Sequence, residues 1–208
     1  MEQTKQAAVG CVIMASGRAV RFGSDKLLAD FGGAPLIARA LAVTASPALA
    51  ARVVVTRSAE VARLARAAGA ATVLHSLPGR NDTVRLGLDA LLGECPGLGG
   101  ASSCPATSRC CGGRASRPWC ATSTRKKETE RVILRLGWRA GGAEPLLGSP
   151  VLFGSGHFDA LRALPEGKGG GVVIRQHPGC VRAVYAQSAE ELEDADTVER
   201  LEALKRFL

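Results

Sequence analysis

The residues best suited to chemistry gather in one short stretch near the start of the chain. A buried-type apolar run, Val9–Met14, is followed by the small residues Ala15-Ser16-Gly17, and the cations Arg18, Arg21 and Lys26 come soon after. A turn of small residues lets backbone N–H groups approach phosphate oxygens closely. Arginine and lysine neutralise phosphate charge, one as a planar fork and the other as a point charge. The stretch therefore predicts a loop that holds a triphosphate.

This stretch differs from the two most common phosphate-binding motifs. No Gly-Lys-Ser or Gly-Lys-Thr follows the turn, so the stretch is not a P-loop, and its glycines do not form a GxGxxG pattern. A basic turn after a strand, with no ligand at all, remains the alternative interpretation of these residues.

The surrounding segments alternate between predicted strands and helices. Pro35 stands at the start of one helix, Ser58 can cap an alanine-rich helix that Gly69 ends, and Asn81 or Asp82 begins a third. This βαβαβα order predicts an α/β fold, a doubly wound, Rossmann-like, mostly parallel sheet with right-handed crossovers. The expected strands are 9–14, 53–56, 72–74, 150–153 and 181–185. One expected helix begins at 35, three more cover 59–68, 81–91 and 158–164, and the last runs from 196 or 197 to 208.

The overall composition fits one soluble domain over residues 1–208. The chain has 208 residues, 46% of them hydrophobic and 22% charged, which is enough to bury a core. No apolar run approaches the roughly 18 residues that span a bilayer. The first residues lead into a short apolar stretch without a small-residue cleavage site after it, which argues against a signal peptide. We therefore expect a cytoplasmic protein with no membrane partner.

The middle of the chain differs in composition from both ends. The net charge is +8, but residues 101–147 alone hold nine Lys or Arg against three Glu. Five of the seven cysteines lie between 95 and 120. Few large apolar side chains precede Val132, and breakers are common, so we expect about 97–147 to be a poorly ordered segment that cannot offset its ordering entropy.

Several motifs together carry a resemblance to a known family. The chain resembles MobA-like nucleotidyltransferases, and among them the molybdenum cofactor cytidylyltransferases, over roughly 1–94 and 148–208. The matching segments are Ala15-Ser16-Gly17, Arg21-Phe22-Gly23, Lys26-Leu27-Leu28, Gly33 to Ile37, Leu77 to Gly87, Gly148 to Phe153, Leu164 to Gly170 and Asp194 to Thr197.

This resemblance implies a fold, a reaction and a set of site residues. The fold is of the nucleotide-diphospho-sugar transferase type. The reaction transfers CMP from CTP to a molybdopterin-type acceptor, with Mg²⁺ as cofactor, release of pyrophosphate, and a molybdoenzyme as a partner that receives the product. GTP in place of CTP is the alternative nucleotide. The residues implied are Ala15, Ser16, Gly17, Arg18, Arg21 and Lys26 for the triphosphate, with Arg21 and Lys26 catalytic, Asn81 and Thr83 near the nucleotide, and Asp194 and Asp196 near the metal or the acceptor. From the residues themselves, a cap on the last helix is the favoured interpretation of the two aspartates.

One family motif is missing, and the missing motif points to a shifted reading frame. In the family, the fourth strand ends in Pro-Gly-Asp-Gln-Pro, and its Asp holds the metal, but nothing in 95–147 matches it. Plausible G/C-rich codons for residues 103–111, read two bases later, encode Leu-Pro-Gly-Asp-Gln-Pro-Leu-Leu. We therefore predict that about 97–147 is out of frame, through a sequencing error or a genuine frameshift, with the frame restored before Gly148. An inactive product of a frame-shifted gene is accordingly an alternative to a working enzyme.

Two other functions for the middle segment are weaker hypotheses. A zinc site would use Cys104, Cys110, Cys111 and Cys120, but they lack paired C-x-x-C spacing and have no nearby histidine. A nucleic-acid arm would use Arg125-Lys126-Lys127, yet charge runs are usually just solvated. We expect no nucleic-acid partner.

Overall fold

The computed structural model describes residues 7–17, 25–107, 130–140, 144–193 and 198–205. Within these ranges the strands are β1 (Val9–Ala15), β2 (Ala51–Thr56), β3 (Ala71–Leu74), β4 (Gly100–Pro105), β5 (Ile133–Trp138), β6 (Leu146–Gly154) and β7 (Val181–Tyr185). The α-helices are α1 (Leu36–Thr44), α2 (Ala59–Ala67), α3 (Arg80–Glu94), α4 (Phe158–Arg162), α5 (Gly171–Gln176) and α6 (Val198–Lys205). No helix in the described part of the chain is long and apolar enough to cross a membrane.

The strands form one seven-stranded sheet in the order β3-β2-β1-β4-β6-β5-β7. β1 pairs in parallel with β2 on one side and with β4 on the other. β6 runs antiparallel to both of its neighbours, and β5 pairs in parallel with β7. The predicted α/β, mostly parallel architecture is confirmed.

Helices cover both faces of the sheet, as the alternation of side chains along each strand requires. Ile13 and Val54 pack on the face that α1 and α2 cover. Val12 and Val53 point to the opposite face, against α3 and α4. A Cβ on Gly87 would lie 2.4 Å from Val12 Cγ1, so a glycine is what allows α3 to approach β1 this closely.

The expectation that residues 97–147 are poorly ordered is wrong for the parts of the segment that the structure describes. Residues 100–105 form β4 in the middle of the sheet, and residues 133–138 form β5. β4 needs few large side chains, because neighbouring strands and α3 already enclose its small Gly, Ala and Ser residues. Ile133 and Leu136 in β5 are almost fully buried. Residues 108–129 and 141–143 lie outside the described ranges, so the expectation is not tested there.

Candidate nucleotide-transfer site

A cleft of about 1110 Å³ opens where the carboxyl ends of β1 and β4 meet. From β1 the chain crosses to β2 on one side, while β4 lies on the other side. Open α/β sheets bind ligands at this kind of switch point, outside the carboxyl ends of the strands. The position of the cleft therefore marks it as the candidate functional site.

A single row of side chains across the sheet forms the floor of the cleft. Val12 pairs with Ser103, Ser103 with Val151, and Val151 with Arg135. Side chains of directly paired residues lie on the same face of a sheet, and all four residues line the cleft. The floor thus runs from β1 at one end, which we call the β1 end, to β5 at the other, which we call the β5 end.

Positive charge dominates the lining of this cleft. Among the described residues, six cationic side chains line it against a single carboxylate, that of Asp25. Such an excess of one sign in a concave site raises the local concentration of ligands of the opposite sign. The cleft is therefore suited to anionic ligands. The cationic residues are Lys26, Arg57, Arg80, Arg135, Lys168 and Arg175.

The predicted phosphate loop lies at the β1 end, with its three small residues in the cleft lining. The Ser16 hydroxyl is buried and donates to the carbonyl oxygen of Val55 at 3.0 Å. Its oxygen lies 2.8 Å from Nε2 of His75, which follows β3. One hydroxyl therefore ties together the ends of three neighbouring strands and holds Gly17 at the mouth of the cleft.

The hydrogen bonds of Ser16 assign the tautomer of His75. A hydroxyl has one proton to donate, and the Ser16 proton goes to Val55, so Nε2 of His75 carries the proton that it donates to Ser16. Its Nδ1 atom is buried and has no hydrogen-bond partner in the described structure. Burial lowers the pKa of His75 and the nearby Arg57 charge lowers it further, while Asp82 opposes them. The imidazole is therefore neutral at pH 7.

Lys26 lies at the same end of the cleft and is only 8% exposed. It begins a short 3₁₀ turn, Lys26–Leu28, in which the Asp25 side chain accepts the backbone N–H of Leu27 at 3.2 Å. Because little water screens the charge of a buried lysine, that charge attracts a nearby phosphate strongly.

The start of α3 adds to the positive potential of the β1 end. Gly79, Arg80 and the buried Thr83 line the cleft, and a helix begins with unpaired backbone N–H groups and a partial positive charge. The Asp82 carboxylate accepts the N–H of Gly79 at 3.0 Å and fixes this start. Thr83 thus lies where the family resemblance implies a nucleotide contact.

Asn81 is placed differently from Thr83. It does not belong to the described cleft lining; instead, its Oδ1 atom accepts the backbone N–H of Gly167 at 2.9 Å. This bond ties α3 to the glycine-rich loop 167–171, which borders the cleft. A Cβ on Gly170 would lie 2.7 Å from Phe153 Cζ, so the loop can lie against β6 only with glycine there. We therefore assign Asn81 a loop-positioning role in the described structure.

Four predicted site residues lie outside the described ranges: Arg18, Arg21, Asp194 and Asp196. The described residues contain no group of three or more metal-ligating side chains. Asp25 is the one carboxylate of the described lining, and a Mg²⁺ site takes one or two carboxylates together with substrate phosphates. The shifted reading frame would place the motif Asp at the Ala106–Thr107 step, and Thr107 does line the cleft. The described residues therefore do not fit a metal held by the protein alone, and the position of the expected ligand is occupied by a side chain without charge.

Of the six cleft cations, only Lys26 was among the predicted site residues. The five that were not are Arg57, Arg80, Arg135, Lys168 and Arg175. Arg57 directly follows β2, and its Nε donates to the carbonyl oxygen of Leu77 at 3.0 Å. Its position after a buried strand is a signal that could have identified it. Arg135 and Arg175 carried no such signal, because only the pairing of β5 with β6 and the packing of α5 bring them to the cleft.

Residues 11–181 match the model of the MobA-like NTP transferase domain family, and the chain belongs to this family of nucleotidyltransferases. The matched range runs through the compositionally unusual middle of the chain. No curated protein matches the chain.

Solved structures show the same fold at low sequence identity. A homolog of Mycobacterium tuberculosis Rv0371c from Mycobacterium sp. strain JC1 is 22% identical with a TM-score of 0.74, and the alignment covers 96% of each chain. A nucleotidyl transferase from Methanothermobacter thermautotroptrophicus is 17% identical with a TM-score of 0.72, over 96% of this chain and 97% of that one. A CMP:2-keto-3-deoxy-manno-octonic acid synthetase complexed with CTP is 13% identical with a TM-score of 0.71, over 97% and 98%.

Proposed function

We propose that this chain is a cytidylyltransferase that transfers CMP from CTP to a phosphate of a molybdopterin-type acceptor. The observation that carries the proposal is the cationic cleft at the β1–β4 switch point, with a small-residue loop and a buried lysine at one end. A triphosphate is the most highly charged part of the proposed substrates, and this end suits it.

In the proposed reaction, an oxygen of the acceptor phosphate attacks the α-phosphorus of CTP in line. A new P–O bond forms, the bond from the α-phosphorus to the bridging oxygen breaks, and pyrophosphate leaves with the electron pair. Transfer of this kind depends mainly on positioning and on neutralising charge. The backbone at Ser16-Gly17 and the charge of Lys26 would orient the triphosphate. Asp25, the one carboxylate of the described lining, would be available to a Mg²⁺ ion bound by the nucleotide phosphates, and that ion would supply further neutralisation of charge.

The first test is equilibrium binding of nucleotides to the purified chain and to Lys26→Ala. We expect CTP to bind, and Lys26→Ala to weaken the affinity for CTP by at least about 10-fold, because a charge-assisted contact contributes about 1.5–3 kcal/mol. Arg63→Ala is the matched control, since Arg63 is an exposed cation that pairs with Glu60 on α2, outside the cleft.

Parallel titrations with GTP, ATP and UTP decide the base preference. Tighter binding of GTP than of CTP would change the assignment to a guanylyltransferase. Equal affinity of wild type and Lys26→Ala for every nucleotide would contradict the placement of the triphosphate at the β1 end.

A further inference from the structure

We propose that Arg135, at the β5 end of the cleft, binds an anionic group of the second substrate, a phosphate monoester or a carboxylate. The proposal rests on the proposed function in one respect: it takes the ligand of the β1 end to be the nucleotide, which leaves the β5 end for the acceptor.

The position of Arg135 separates it from the triphosphate loop. Arg135 stands on β5, three strands away from β1 along the floor of the cleft. Neighbouring strands lie about 4.8 Å apart, so the two strands are about 14 Å apart across the sheet. Arg135 is thus placed to contact a second molecule while a nucleotide occupies the β1 end.

The surroundings of Arg135 leave its charge without a counter-charge. The side chain is half-buried, and among the described residues no carboxylate pairs with it. Its paired neighbours in the sheet, Val151 and Ala183, are apolar. Its Nε atom is buried without a hydrogen-bond partner, and burial lowers the pKa of the guanidinium. Burying an unpaired charge costs free energy, and a bound anion would offset that cost.

The orientation of the guanidinium suits an oxyanion. Its Nη2 atom donates to the carbonyl oxygen of Leu147 at 3.0 Å, which fixes the plane of the group. Nη1 has no protein partner in the described structure and is the edge left for a ligand. Arginine presents planar N–H donors that match phosphate and carboxylate oxygens. Lys168 and Arg175, both exposed, add further positive charge to the cleft lining.

The test compares fluorescent pterins that differ only in the group at one position. The probes are 6-hydroxymethylpterin monophosphate, pterin-6-carboxylate and neutral 6-hydroxymethylpterin, each titrated without nucleotide against wild type, Arg135→Met, Arg135→Lys and Arg182→Met. Methionine keeps most of the apolar stem, and Lys keeps the charge. Arg182 is the matched control, an exposed arginine on β7 that bonds backbone carbonyls and does not line the cleft.

We expect Arg135→Met to weaken binding of an anionic probe by at least about 10-fold, and binding of the neutral probe by less than about twofold. Arg135→Lys should recover part of the loss, and Arg182→Met should match wild type. A larger loss for the phosphate than for the carboxylate would identify a phosphate subsite, and the reverse order a carboxylate subsite. An equal loss for all three probes would show that Arg135 only supports the fold, and no loss for any probe would also overturn the proposal.

A second measurement does not depend on a pterin. The rate at which phenylglyoxal modifies Arg135, followed by peptide mass spectrometry, should fall when inorganic phosphate is added, while the rate at Arg182 should stay constant. Absence of protection at Arg135 would count against an anion subsite. Because neither measurement uses CTP, a failure of CTP to bind refutes the proposed function separately, and leaves the anion subsite to be judged on its own results.

Discussion

The two ends of the cleft are built in different ways. At the β1 end, short segments that directly follow β1, β2 and β3 meet, and hydrogen bonds through Ser16 hold them together. At the β5 end, the lining includes Arg135 of β5, whose Nε atom is buried without a hydrogen-bond partner in the described structure. The β1 end is therefore held by buried hydrogen bonds, whereas the β5 end presents the Arg135 charge, which no carboxylate among the described residues pairs with.

The largest expected effect concerns the motif that is missing between the two ends. A chain in which residues 103–111 are replaced by the shifted-frame Leu-Pro-Gly-Asp-Gln-Pro-Leu-Leu should gain a carboxylate at the carboxyl end of β4 and keep Arg135. Metal stabilisation contributes several kcal/mol to such transfers, so we expect at least about 100-fold faster pyrophosphate release than from the 208-residue chain. The assay measures Mg²⁺-dependent pyrophosphate release with CTP and molybdopterin.

Thr107→Asp in the unaltered chain is the smaller version of the same test. It places a carboxylate in the cleft lining with a single change, and Thr107→Asn is its uncharged control. We expect the Asp variant to be the more active of the two. Comparable turnover by the restored and the unaltered chains would refute the frameshift interpretation, and sequencing the coding DNA around codons 93–150 tests the frame directly.

Ser16→Ala tests whether the β1 end is the locked one. The substitution leaves the Val55 carbonyl and His75 Nε2 without their shared partner, which we expect to lower the free energy of unfolding by about 1–3 kcal/mol. Ser103→Ala, on β4 in the floor between the two ends, should lower it by less than about 0.5 kcal/mol, because the 3.5 Å bond that it removes is long. Urea unfolding of both variants measures the difference. Equal losses would show that the bonds of Ser16 hold the structure no more strongly than the long bond of Ser103.

The smallest expected effect is a pH dependence of the free energy of unfolding, which arises from His75 at the β1 end. The pKa of His75 is lowered in the folded chain, so below its ordinary value of about 6.5 the unfolded chain takes up a proton that the folded chain does not. The free energy of unfolding should therefore fall as the pH drops through 6.5, and level off below the folded pKa. His75→Gln keeps an N–H donor for Ser16 and removes the titration.

The measurement for this prediction is the difference in unfolding free energy between wild type and His75→Gln, followed from pH 8 to pH 5. We expect the difference to be constant above pH 7 and to shift against wild type below it. Parallel pH curves for the two proteins would show that His75 does not titrate abnormally. A shift in the opposite direction would mean that the imidazole is stabilised in its charged form.

Much of the fold follows from local pattern in the sequence. The runs at β1, β2 and β3 and the cap at Ser58, whose hydroxyl accepts the N–H of Val61, lie where propensity and spacing place them. The Ser16-Gly17 loop was also predicted to line a site because it directly follows a buried strand, and Lys26 because it lies in the same basic stretch. In parallel sheets the carboxyl ends of strands meet at one edge, so short-range sequence is enough to bring such residues together.

Only the tertiary structure decided that parts of residues 97–147 form strands, and which residues line the β5 end of the cleft. Small residues such as Gly100 and Ser103 have little strand propensity, and β4 exists because partners on both sides satisfy its backbone. Arg135 reaches the cleft because β5 pairs with β6 in a register that joins Ile133 to Phe153, 20 residues further along the chain. 

That pairing places Arg135 opposite Val151, on the face that forms the floor of the cleft. Side-chain alternation fixes which face each residue of a strand occupies, but only the pairing of distant strands decides which residues become neighbours. The sequence by itself therefore determined the β1 end of the cleft, where we expect the triphosphate, and the tertiary structure decided the β5 end, where we expect the second substrate.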